Sequence, residues 1–108
     1  MKKIYLSGSI SKKNNYQDDF NNAEKAFSDV KFDVVNPASF DSTKSYKEIM
    51  KRDLLLLLDC DFIFFVNDIT TSKGAFIEKI VAQECGIPEI ILDNKEEKNG
   101  EWWSLWDN

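Results

Sequence analysis

The chain has 108 residues, 43% hydrophobic and 31% charged, which suits a single domain with one core and no covalent staples. Nineteen acidic against fourteen basic residues give a net charge of −5, which argues against a general binder of nucleic-acid polymers, because phosphate backbones call for a basic face. With no histidine, Ser-His-Asp and Cys-His catalysis and His-ligated zinc are excluded, and acid–base chemistry falls to carboxylates, Lys, Tyr or Cys.

Ile4-Tyr5-Leu6 reads as a short buried strand that ends at Ser7-Gly8-Ser9. Asn14 or Asn15 can cap a helix whose apolar stripe is Tyr16, Phe20, Ala23 and Phe27. Phe32 to Val35 is a second strand, stopped by Asn36-Pro37. Ser45 with Glu48 forms a capping-box pattern that opens a helix carrying Tyr46, Ile49, Met50 and Leu57 on one face. Phe62 to Val66 is a continuous apolar run, as expected of a central parallel strand. Ser72 caps a third helix that stops at Gly86, ahead of Pro88. Glu89 to Leu92 is a fourth strand, and 93–101 is a polar loop. The spacing of Trp102 and Trp106 with Leu105 predicts an amphipathic turn in a Trp-rich tail at 101–108.

Strand and helix therefore alternate. The expected fold is α/β: a small doubly wound, flavodoxin/Rossmann-like parallel sheet of four to five strands with helices on both faces, in one domain over 1–108. Ligands of such sheets bind outside the carboxyl ends of the strands, where strand order reverses. That directs attention to 7–13, 36–44 and 67–74. The first strand is followed by no GxGxxG, and no GxxxxGK[ST] occurs, so neither a dinucleotide site nor a P-loop is expected. Cys60 and Cys85 lie in apolar stretches and read as buried, reduced thiols of a cytoplasmic protein. The start lacks the unbroken apolar run of a signal peptide, and LLLLL at 54–58 is far short of the roughly 18 residues that span a bilayer, so no membrane partner is expected.

Two carboxylates stand where solubilising residues do not belong. Glu78, in the third helix, has Gly74, Ala75, Val81, Ala82 and Cys85 as its helical neighbours, all small or apolar. It also lies near the positive end of that helix, which favours the ionised form a nucleophile needs. Asp53 sits in the middle of the apolar face of the second helix, between Ile49-Met50 and Leu56-Leu57. Burial there raises a carboxyl's proton affinity, which suits a general acid or a hydrogen-bond donor to a nucleobase. Each also has a structural reading, as a rim or ion-paired residue for Glu78 and as a hydrogen-bonded core residue for Asp53. Together they suggest glycosidic-bond chemistry, which runs on two carboxylates. Ser7, Gly8, Ser9 and Lys12 in the first loop, and Ser72 at the third helix's start, offer contacts for a phosphate or sugar hydroxyls. Asp68, at the ligand end of the third strand, is a further sugar-binding candidate or a turn aspartate.

These pieces are similar to a known family. Ile4-Tyr5-Leu6-Ser7-Gly8-Ser9-Ile10, Asn36-Pro37, Arg52-Asp53-Leu54, Cys60-Asp61-Phe62-Ile63 and Ser72-Lys73-Gly74-Ala75-Phe76-Ile77-Glu78 with Ala82 resemble the nucleoside 2-deoxyribosyltransferase superfamily over residues 3 to about 92. In style the chain resembles an uncharacterised group of short phage and bacterial members. The resemblance implies Glu78 as nucleophile, Asp53 as the contact to the nucleobase and Tyr5 as the residue that positions nucleophile or sugar. It also implies Gly74 beside the substrate. The transferases carry an acidic residue two positions before the motif glycine. Ser72 stands there instead, as in the 2'-deoxynucleoside 5'-monophosphate N-glycosidases, where a serine contacts the phosphate. The family often has glycine two residues after the glutamate, and Ile80 in that place is expected to narrow the site.

The function implied is cleavage or transfer of the N-glycosidic bond of 2'-deoxynucleosides or their 5'-monophosphates through a glycosyl-enzyme intermediate. It needs no metal and no cofactor, takes a small nucleoside or nucleotide as partner, and is expected of a cytoplasmic homodimer. The alternatives are a non-catalytic nucleotide-binding module of the same fold and a purely structural interaction protein.

Overall fold

The computed structural model describes residues 1–10, 15–40, 43–92 and 103–105. Its sheet has β1 (Lys3–Ser7) at the centre, β2 (Asp33–Val35) on one side and β3 (Phe62–Phe65) on the other, all parallel. Tyr5 stands opposite Val35 on one flank and Ile63 on the other, and Ser7 pairs with Phe65. Helix α1 (Tyr16–Asp29) links β1 to β2, α2 (Tyr46–Leu58) leads to β3, and α3 (Lys73–Glu84) leads to β4 (Ile90–Leu92). The two neighbours of β1 leave it on opposite sides, so the crevice for a ligand opens at the carboxyl ends of β1 and β3.

The alternation of side chains along β1 divides the core in two. Ile4 and Leu6 pack with Phe20 and Phe27 of α1 on one face. Tyr5 points to the other, among Leu57 of α2, Ile63 of β3 and Ala82 of α3. Phe27 meets Phe64 edge-on with ring centroids 4.9 Å apart. Burying each such ring contributes about 1.5–3 kcal/mol. This is the three-layer, doubly wound arrangement expected from the alternating pattern.

The helix signals are realised atom by atom. The Ser45 hydroxyl accepts the N–H of Glu48 at 3.2 Å and donates to its carboxylate at 3.0 Å. The Ser72 hydroxyl accepts the N–H of Ala75 at 3.2 Å. Each cap is worth about 1 kcal/mol. Gly86, with φ of +71°, ends α3 in the left-handed region. No helix among the described residues is long and apolar enough to cross a membrane.

Three expectations need correction. The fourth strand does not extend the parallel ladder: it meets β3 through one bridge, Ile63 with Glu89, beside the bond from the Ile63 N–H to the Pro88 carbonyl at 3.0 Å. Proline has no N–H to continue a ladder, and β4 is only three residues long. The tail does not form an amphipathic turn at its centre. Residues Trp103–Leu105 form β5, antiparallel to β4, which gives the free side of that short strand a partner. Trp102 and Trp106 lie outside the described residues. The cysteines also differ from one another: Cys60 is buried, whereas Cys85, at the end of α3, is exposed.

Candidate active site

The last two inward positions of β1 are Tyr5 and Ser7, and both are hydroxyl donors aimed at α3. The Tyr5 phenol donates to Glu78 Oε2 at 2.6 Å, and the Ser7 hydroxyl donates to Glu78 Oε1 at 2.5 Å. Glu78 is 6% exposed, so burial pushes its proton affinity up. The two hydroxyls oppose that, and the nearby Asp53 charge adds to it. A buried carboxylate with a donor on each oxygen is held in one plane and at one position.

Asp53, on α2, is likewise 6% exposed. Its Oδ1 accepts from Arg52 Nε at 2.9 Å. Burial raises its proton affinity and outweighs the opposing pull of the guanidinium. Arg52 in turn lies over the Phe40 ring, 5.2 Å from its centroid.

These groups line one cavity of about 370 Å³, together with Gly8, Ser72 and Gly74. Tyr16, Phe40, Tyr46 and Met50 line it as well. The size lies within the range of small-molecule sites, roughly 300–1,000 Å³. The lining therefore combines aromatic and apolar surface that suits a flat ring with two buried carboxyl groups.

Not every candidate reaches the cavity. Asp68 is exposed, and its Oδ1 accepts the N–H of Thr70 at 3.0 Å in a local turn, so the turn reading describes it. Ser9 is buried but does not line the cavity. Its backbone is gripped by Asn67, which accepts the Ser9 N–H at 2.7 Å and donates to the Ser9 carbonyl at 3.0 Å. Lys12 lies outside the described residues. The Ser7 hydroxyl is directed to Glu78 rather than left for a ligand. Ile80 does not narrow the site: it is 44% exposed and absent from the cavity wall, because two residues on from Glu78 is roughly 200° around the helix. Cys60, the buried thiol, is pushed up to about 11 chiefly by burial, which leaves it a thiol and not a nucleophile.

Asn67 was missed in the sequence. Its signal was a polar side chain directly after the third strand, at the ligand end of the sheet. It fixes the β1 loop, and Gly8 shows how tightly: a Cβ there would lie 2.7 Å from Val66 Cγ2 and 2.8 Å from Asn67 Oδ1.

A family model described as "Domain of unknown function (DUF4406)" matches residues 2–91, most of the chain. The chain belongs to that family. A search of curated proteins finds no match. Among solved structures, the fold of this DUF4406 member is similar to the 2-deoxyribosyltransferase of the psychrotolerant bacterium Bacillus psychrosaccharolyticus, with a TM-score of 0.66 and 21% sequence identity. The match covers 81% of this chain and 69% of that one. At that identity the likeness establishes the α/β fold of the DUF4406 chain, and its chemistry has to be argued from its own residues.

Proposed function

We propose that this protein cleaves or transfers the N-glycosidic bond of 2'-deoxynucleosides or their 5'-monophosphates, with Glu78 as nucleophile. The observation that carries the reading is a buried carboxylate, Glu78, held by Tyr5 and Ser7 on the wall of a nucleoside-sized cavity beside a second buried carboxyl, Asp53. The fold shared with a protein described as a 2-deoxyribosyltransferase supports it.

In the first step a Glu78 oxygen forms a bond to C1' as the bond from C1' to the base nitrogen breaks. The base leaves with the electron pair and takes the proton of the Asp53 carboxyl. In the second step a water oxygen, or the nitrogen of a second base, bonds to C1' as the ester bond to Glu78 breaks. Asp53, now a carboxylate, accepts the proton that the nucleophile gives up. The base lies against the aromatic side chains within reach of Asp53, and the sugar presents C1' to Glu78. Ser72, which lines the cavity as the N-cap of α3, faces a 5'-phosphate where one is present. On this reading the partner is a small nucleoside or nucleotide and the working unit is a cytoplasmic homodimer.

The test is chromatographic. The protein is incubated with each of the four 2'-deoxynucleosides and their 5'-monophosphates, with Glu78→Ala in parallel. Free base released by the wild type and abolished in the variant supports the reading. Tight nucleotide binding without release of base would replace it with the non-catalytic module.

A further inference from the structure

We propose that Ser7 is a positioning residue for Glu78, holding the carboxylate oxygen that Tyr5 does not reach. The proposal deepens the reading that Glu78 is the nucleophile and rests on it. It also takes Ser7 out of the set of residues that touch substrate.

The backbone leaves Ser7 little choice of direction. It is the last residue of β1, paired with Phe65, and its carbonyl accepts the Val66 N–H at 2.8 Å. Side chains alternate across the sheet, so Ser7 shares the face of Tyr5 and opposes that of Leu6. Ser7 is 1% exposed, so a hydroxyl without a protein partner would be stranded, and the partner it has is Glu78 Oε1 at 2.5 Å. Tyr5, two residues earlier and with a longer reach, takes Oε2. The two donors come from one rigid strand, so the carboxylate plane is fixed against the sheet rather than by the mobile rotamers of its own helix. Among the described residues, the other charged groups around Glu78 are Asp53 and, beyond it, Arg52, both from α2.

The Ser7 bond has a chemical consequence. A hydroxyl on Oε1 lowers the basicity of the carboxylate. That keeps Glu78 ionised for the first step and stabilises it again as it leaves C1' in the second. Loss of the hydroxyl should therefore raise the proton affinity of Glu78 and slow turnover while leaving ground-state binding of substrate alone.

The experiment titrates Glu78 directly, by NMR of protein carrying carbon-13 in its glutamate carboxyl groups, with Glu78→Gln used to assign the signal. In Ser7→Ala the midpoint should move to higher pH, by about a tenfold change in proton affinity. With any substrate the wild type turns over, kcat should fall roughly tenfold at unchanged KM, and the acid limb of its pH profile should move with the titration. If Ser7→Ala does not fold, the nearly isosteric Ser7→Cys replaces it, with a smaller shift in the same direction because a thiol is a weak donor. An unchanged Glu78 titration overturns the proposal, as does a rise in KM with kcat intact, which would return Ser7 to substrate binding. The titration needs no substrate, so it still decides the role of Ser7 if no base is released and the proposed function itself fails.

Discussion

The phenol of Tyr5 and the carboxylate of Glu78, 73 residues apart in sequence, meet at 2.6 Å in the floor of the cavity. Burial, and after it the Glu78 charge, drive the phenol's proton affinity far above its ordinary value, so Tyr5 remains a donor throughout the accessible pH range. Hydrogen bonds to charged groups contribute about 1.5–3 kcal/mol. Tyr5→Phe should accordingly lower kcat roughly ten- to hundredfold and move the acid limb of the pH profile upward. Steady-state kinetics across pH checks this. An acid limb that stays in place would mean that the phenol is not what keeps Glu78 ionised.

Glu78 also makes a prediction about stability. Its proton affinity is higher in the folded protein than in the unfolded chain, mainly through burial. The stability linked to such a raised group is fully present below the unfolded pKa and is lost as pH rises through the folded value. Above the unfolded value, and so near pH 7, the buried carboxyl therefore costs stability that an uncharged, non-titrating side chain of the same shape would not. Glu78→Gln, whose amide can still meet both hydroxyls, should melt at a higher temperature than the wild type at about pH 7, with no base released. The difference should shrink as pH falls below the ordinary carboxylate range of about 4. A variant that melts lower at neutral pH would show that the ionised form is net stabilising.

Much of this site was legible because helix periodicity is a strong constraint. Glu78 and Asp53 stood out as charges on faces that were otherwise small or apolar, and both are buried. Tyr5 was identified by resemblance alone, although strand alternation places it on the face of Ser7. What could not be read was which hydroxyl meets which oxygen, because that depends on how α3 crosses the end of β1. Asn67 stood at the ligand end of the sheet, but its role was missed for a similar reason, since its partner is the Ser9 backbone beyond the end of β1. The tail misled because Trp102 and Trp106 have helical spacing, yet the segment between them pairs with β4. Local spacing gave way there to the open edge of a three-residue strand.

Asp53 and Glu78 both have raised proton affinities, and each carboxylate is felt by the same cavity. The proposed chemistry needs Glu78 ionised and Asp53 protonated. Activity should therefore fall at low pH as the pair takes up a second proton, and fall again at higher pH as the pair loses its last one, giving a bell whose limbs belong to the pair and to neither residue alone. Asp53→Asn keeps a hydrogen-bond donor at the same place but has no proton to transfer. It should lose roughly 10²- to 10⁴-fold in kcat and flatten the alkaline limb. The expected profile is then a single acid limb set by Glu78, measured as kcat/KM against pH. A bell that survives in Asp53→Asn would assign the alkaline limb to another group.

Gly8 and Gly74 were both marked as site glycines, but their surroundings demand opposite outcomes on substitution by alanine. At Gly8 the added methyl would sit 2.7 Å from Val66 Cγ2 and 2.8 Å from Asn67 Oδ1. Neither neighbour can yield cheaply, because Val66 extends the β3 ladder through its bond to Ser7 and Asn67 holds both polar atoms of the Ser9 backbone. Gly8→Ala should cost about 1–3 kcal/mol by overpacking. In a domain of this size that lowers Tm by roughly 4–8 °C per kcal/mol. At Gly74 a Cβ would make ordinary contacts, 3.4 Å from Met50 Sδ and 3.5 Å from the Tyr46 hydroxyl oxygen. Alanine is favoured over glycine in helices by up to about 1 kcal/mol, so Gly74→Ala should leave Tm unchanged or raise it. Its methyl nevertheless enters the cavity between α2 and α3, so any loss of activity should appear in KM. Thermal melts of the two variants side by side decide the matter. A Gly8→Ala variant that melts with the wild type would mean that the β1 loop yields where the geometry of Val66 and Asn67 says it cannot.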